Sequence, residues 1–257
     1  MEKVSPYLDA IFRWVHVVSG IAWIGLLYFF NFVNASFAAK MDGETKKKVV
    51  PELLPRALFW FRWGAAYTWI SGLLLLAFTY YHGKAMWDSG QSSWGPLPFA
   101  MLGITFLGVF VYDALVKSVL KPTNFAFWGG WLLVSALYYF YRLQITEVGY
   151  RGAVIHIGSM FGTFMAFNVW FRIWPAQQQI ITAIKNGQAP NADLVALAGL
   201  RSKHNTYMSI PLVFMMLNQH NPWMAPQELT WSIPAAILIG WLVCYCLYQK
   251  AGKVQGF

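Results

Sequence analysis

Seven apolar stretches divide the chain, most of them close to the length that a helix needs to cross a lipid bilayer. They run over residues 7–38, 55–81, 97–120, 124–141, 153–174, 205–219 and 229–249. A hydrocarbon core about 30 Å thick is spanned by about 20 helical residues. Barrel strands need only about 10 residues and alternate in polarity, which these stretches do not. The sixth stretch is short, so its helix is expected to start earlier, near Asp193. The turn signals Asn186-Gly187 and Pro190-Asn191 precede it, and Asn191 or Asp193 is placed to cap it. The first stretch is too long for a signal-peptide core and contains Arg13 and His16, so it reads as a retained helix. The expected fold is all-α: a polytopic integral membrane helix bundle of about seven transmembrane helices, forming a single domain over residues 1–257.

Composition agrees. Hydrophobic residues make up 58% and charged residues 11%, whereas a soluble domain has about 25% charged residues to cover its surface. The formal charge of +9 has no basic run interleaved with aromatics on a polar surface, so nucleic acid is not the expected partner. Loop asymmetry explains the charge better. Lys40, Lys46, Lys47, Lys48, Arg56, Arg62, Lys117, Lys121, Arg172, Lys185, Arg201, Lys203, Lys250 and Lys253 fall on one side of the expected spans. Only Lys3, Arg13, Lys84, Arg142 and Arg151 fall on the other. The positive-inside rule places the richer side in the cytoplasm. With an odd number of spans, the N-terminus is then outside and the C-terminus cytoplasmic. Cys244 and Cys246 stand two apart in the last stretch and point to different sides of a helix, so neither a disulfide nor a shared metal is expected. No C-x-x-C-H occurs, so the chain carries no c-type haem attachment of its own.

Ionisable groups inside lipid are costly and mark candidate functional positions. His16 lies about nine residues into the first span from outside, and His156 about six into the fifth, which puts both in the outer leaflet at about 1.5 Å per residue. His220 ends the sixth span on the same side, and His82 ends the second. His204 stands near the cytoplasmic side. Histidines from different helices at one depth can hold b-type haem or another metal. His16 and His156 are the expected haem-iron pair, with His220 as alternate ligand or substrate contact and His204 as a second, inner centre. Gly20, Gly158 and Gly162 would leave room for a macrocycle, and Arg13 would pair with a propionate. The residues alone also admit a non-haem metal and, more readily, imidazoles that only hydrogen-bond across helices. Arg62 and Asp113 are expected at similar depth as an ion pair, joined by Asn168 and Arg172. His204, Met208, Pro211, Met215 and Asn218 share a helical face, which is more often packing than ligation. His82 reads as interfacial. For a flat anion, Arg13, Arg142, Asn218 and Gln219 supply donors on the outer side.

Three strings carry a family resemblance: GIAWIGLLYFFNFVN at 20–34, VVPELLPRALFWFRWG at 49–64 and RSKHNTYMSIP at 201–211. They resemble the membrane domain of bacterial cytochrome-c-linked urate oxidases, and the likeness runs through nearly the whole chain. The resemblance implies a multi-pass protein of the bacterial inner (cytoplasmic) membrane that oxidises urate toward 5-hydroxyisourate and delivers electrons to a C-terminal cytochrome c domain. This chain ends at Phe257 without a haem-c motif, so a separate cytochrome c or respiratory complex subunit is the expected acceptor, in a hetero-oligomer. The function expected is a membrane oxidoreductase using b-type haem. The alternatives are a non-catalytic subunit of an electron-transfer complex, and a carrier or channel. A carrier would show paired broken helices, and only Pro211 breaks a span centrally.

Overall fold

Seven long helical segments form the chain in a computed structural model that describes residues 5–87, 95–118, 124–143 and 148–254. We label them α1 (5–40), α2 (43–82), α3 (96–118), α4 (124–142), α5 (150–185), α6 (192–218) and α7 (232–251). They overlay the seven apolar stretches, and α6 does begin near Asp193. Asn191 Oδ1 accepts the backbone N–H groups of Asp193 and Leu194 at 2.8 and 3.4 Å, which caps it. No strand occurs among the described residues, only an isolated bridge between Trp87 and Val148. Lys3, Lys121 and most of the Trp87–Pro96 loop lie outside the described residues.

Among the described residues, four segments are long and apolar enough to cross a membrane: Pro6–Lys40, Pro96–Ser118, Tyr150–Lys185 and Ser232–Ala251. This is fewer than the seven spans expected from the sequence. The difference has a chemical cause. The uncharged part of α2, residues 63–82, is diluted by Trp63, Tyr67, Thr68, Trp69, Ser71 and Thr79, and α6 carries Asp193, Arg201, Lys203, His204 and Asn205. In α4 the tryptophans and tyrosines, interfacial by nature, dilute the aliphatic run. The apolar helices turn large side chains outward, among them Ile21 on α1, Leu107 and Phe110 on α3, and Ile239 on α7. Faces of this kind are unstable in water and natural in lipid.

By packing, the chain forms two units. The first gathers Met1–Arg13, Gly72–Phe164 and Met208–Leu242. Its buried residues include Met86, Met101, Tyr138, Tyr141, Tyr150 and Ile157. Lipid tails are as apolar as leucine, so helices in a membrane cohere through close packing, and small residues permit it. A Cβ on Gly240 of α7 would stand 3.0 Å from the Pro211 ring of α6. One on Gly158 would meet Met216 at 3.1 Å, and one on Gly162 would meet Leu212 at 3.6 Å. The second unit gathers Trp14–Ser71, Met165–Tyr207 and Val243–Phe257. It buries Trp23, Leu27, Phe61 and Ala65. Gly64 of α2 lets backbone approach backbone, since its Cβ would stand 3.2 Å from Ser19 O and Trp23 N.

Among the described residues, three π-helical turns interrupt the α-helical ladder, at Phe29–Asn34, Leu76–His82 and Val169–Ile173. Such turns shift side-chain register and recur at functional sites. Here the second one aims Thr79, Tyr80 and Tyr81 at two different polar clusters.

Candidate functional site

The first unit buries His156 completely. Its Nδ1 donates to the Gly152 carbonyl one turn earlier, at 2.7 Å. A carbonyl only accepts, so this bond places the proton on Nδ1 and leaves a lone pair on Nε2. Tyr81 Oη lies 2.8 Å from that Nε2 and 3.1 Å from the Pro98 carbonyl. Tyr81 and Tyr141 present their rings edge-on to the imidazole. Both nitrogens are therefore engaged. Iron at Nε2 would require Tyr81 to turn away, and the side-chain space at Gly158 and Gly162 is taken by Met216 and Leu212. His156 as packed does not fit a haem ligand.

A second cluster in the same unit is charged. Arg13 Nε donates to Asp9 Oδ2 at 2.6 Å, and its Nη2 reaches Oδ1 at 3.3 Å. Thr79 Oγ1 donates to Asp9 Oδ1 at 2.7 Å. Arg151, in the first turn of α5, lies close to Tyr80, and both it and Arg13 act on His220. His220 lies beyond the end of α6. Partial loss of hydration, then the two neighbouring guanidinium groups, hold its pKa below the usual imidazole range. Two of the five residues singled out by sequence, Arg13 and His220, thus belong to one cluster. Asp9, Thr79, Tyr80 and Arg151 were not singled out. A cation in the first turn of a helix opposes the helix dipole, and that anomaly at Arg151 was readable in advance.

Nearby, Asn218 donates to Tyr150 Oη at 2.5 Å and Arg142 donates to the Ala225 carbonyl at 2.8 Å. These donors close the loop after α6 onto the helices. Met208, Pro211 and Met215 are buried, so the methionine face of α6 is packing.

In the second unit, His16 Nδ1 donates to the Thr68 carbonyl at 2.9 Å, with Ser71 Oγ at 3.2 Å. This arrangement again puts the proton on Nδ1, but here Nε2 has no partner among the described residues. A metal-bound imidazole normally has its other ring nitrogen fixed in this way. His16 therefore fits an axial ligand. Gly20, expected to leave room for a ring, faces Thr68 at an ordinary 3.8 Å. A buried chain of donors runs Arg201 to Asn168 (3.3 Å), Asn168 to Asn205 (2.8 Å), and Asn205 to the Met165 carbonyl (3.0 Å). His204 is next to Arg201 on α6 and feels its charge. Arg62 stacks on Trp174, 3.9 Å from the ring centroid, while Asp113, in the other unit, pairs with Lys117 at 2.9 Å. His82 is exposed at the end of α2. Cys244 is buried, Cys246 exposed, and neither is bridged. No group of three or more His, Cys, Asp or Glu side chains able to hold a metal ion occurs among the described residues.

Residues 41–255 match the family described as urate oxidase N-terminal. The chain belongs to that family. The match takes in all of α2 through α7, and so includes His156, Arg151, His204 and His220. Asp9, Arg13 and His16 precede it. No curated protein and no solved structure matches the chain.

Proposed function

We propose that the protein is a membrane oxidoreductase of the urate oxidase type. The family match over residues 41–255 carries this reading. The setting is a bacterial cytoplasmic membrane crossed by the long helices, with the N-terminus outside and the C-terminus inside, supported by the distribution of Lys and Arg. Urate, or a purine close to it, would lose two electrons, one at a time, to a cytochrome c or respiratory partner.

A b-type haem, when bound, would supply a one-electron relay between the two. Of the candidate ligands, His16 is the one whose geometry supports this role. The Thr68 carbonyl fixes its tautomer and ring plane, and Ser71 braces the same nitrogen. In the other unit, Tyr81 keeps the His156 lone pair engaged and neutral.

The test is an optical spectrum of the purified protein, oxidised and reduced, alongside urate-dependent reduction of added cytochrome c. A Soret band that disappears in His16→Ala, together with turnover of urate, supports the reading. Membranes rich in the protein that show neither haem nor urate-dependent reduction overturn it.

A further inference from the structure

The charged cluster of the first unit is incomplete in a specific way. Arg13 has its counter-charge in Asp9. Arg151 has no acidic partner among the described residues, and its Nε is buried without a hydrogen bond. It stands where the backbone N–H groups of α5 already present positive partial charge. The Tyr80 hydroxyl provides an independent sign. Tyr80 is 4% exposed, its oxygen is buried beside Arg151, and its proton has no acceptor among the described residues. The Arg151 side chain lies against the Tyr80 oxygen, but a buried hydroxyl normally also finds an acceptor for its own proton. The Arg151 guanidinium, the helix N-terminus beside it and the Tyr80 phenol proton all lack the same thing among the described residues, an acceptor with negative charge.

We propose that Arg151, Tyr80, Arg13 and His220 form a binding site for a small planar anion with acceptor atoms along one edge. The Arg151 fork matches two coplanar acceptors. Tyr80 donates a third bond. Arg13, held in place by Asp9 and Thr79, adds long-range attraction while remaining partly exposed. His220 closes the site at the surface. This inference rests on the proposed function only for the ligand's name: under that reading the anion is the urate monoanion, and the cluster is where it is received.

The experiment is calorimetric titration of the purified protein in nanodiscs with urate, benzoate and the neutral purine adenine. Urate binds, benzoate binds more weakly, and adenine does not. Arg151→Gln weakens urate at least tenfold and Arg151→Lys by less, because charge is kept and the fork lost. Tyr80→Phe weakens it several-fold. Thermal unfolding of each variant separates lost binding from lost folding. Urate binding that is unchanged in Arg151→Gln and Tyr80→Phe overturns the site. So does a wild type that binds no anion while Glu147→Gln does, because Glu147, four residues before Arg151 in sequence, would then be the missing charge. Urate bound at this cluster without turnover by any acceptor removes the enzymatic reading and leaves the site standing. Turnover with KM unaffected by Arg151→Gln does the reverse.

Discussion

Tyr81 Oη sits 2.8 Å from Nε2 of His156, and the other nitrogen of that imidazole is bonded to its own helix. The pair is buried and closed. Tyr81→Phe removes the hydroxyl that sits against the lone pair and reaches the Pro98 carbonyl, and a buried acceptor left without a partner costs about 1–3 kcal/mol. The variant should unfold at lower temperature in detergent. His156→Gln should recover part of the loss, since its amide can still donate and accept. If Tyr81→Phe is as stable as wild type, the bond is incidental. If instead it gains a Soret band, His156 is an iron ligand that Tyr81 had masked.

Glycines on these helices should answer to substitution with opposite signs. A Cβ at Gly152 would lie 2.6 Å from the Met86 carbonyl, a backbone atom that also accepts the Gly149 N–H. Gly152→Ala must therefore push the 83–87 turn away from α5, at a cost of about 1–3 kcal/mol for overpacking. Nothing lies within 4 Å of a Cβ at Gly103 on α3. There, alanine should stabilise by about 0.5–1 kcal/mol through helix propensity alone. Paired thermal melts check the contrast, and equal shifts would refute it.

The sequence was legible where lipid imposed length. The seven segments and the early start of α6 follow from apolar runs and turn residues, because both are local. Side-chain partners were not legible. His16 and His156 looked equivalent by depth, yet one has a free Nε2 among the described residues and the other does not. That difference depends on Thr68 and Tyr81, which lie 52 and 75 residues away in sequence. The π turn at Leu76–His82 hid the rest. A regular 3.6-residue period assigns Thr79, Tyr80 and Tyr81 to faces that a π turn shifts, so no helical wheel brings Tyr80 to Arg151.

Asn168 links the donor chain of the second unit, accepting from Arg201 and donating to Asn205. Asn168→Leu removes an acceptor from a buried guanidinium and a donor from a buried amide at once. Hydrogen bonds to charged groups contribute about 1.5–3 kcal/mol, so this variant should cost more than Asn205→Leu. A double-mutant cycle between positions 168 and 201 should return a coupling of about 0.5–3 kcal/mol, as expected for residues sharing one network. Strict additivity would mean the contact is not energetically real.

His220 gives the anion site a pH dependence whose sign is fixed. Its pKa lies below the ordinary imidazole value of 6.5 because some hydration is lost and because Arg151 and Arg13 repel the extra proton. Arg13 itself is paired with Asp9. In the empty site His220 is therefore neutral at pH 7. A bound anion favours the imidazolium, so the pKa is higher with ligand than without it. Binding then takes up a proton, and affinity must rise as pH falls from the higher, ligand-bound value to the ligand-free value, which itself lies below 6.5. Titrations with an anion that stays fully ionised across this range, such as benzenesulfonate, isolate the protein's share. Affinity should increase from pH 7.5 to 5.5 in wild type and stay flat in His220→Gln. The opposite slope, or the same slope in both proteins, would exclude His220 from the site and leave Arg151 and Tyr80 to account for it alone.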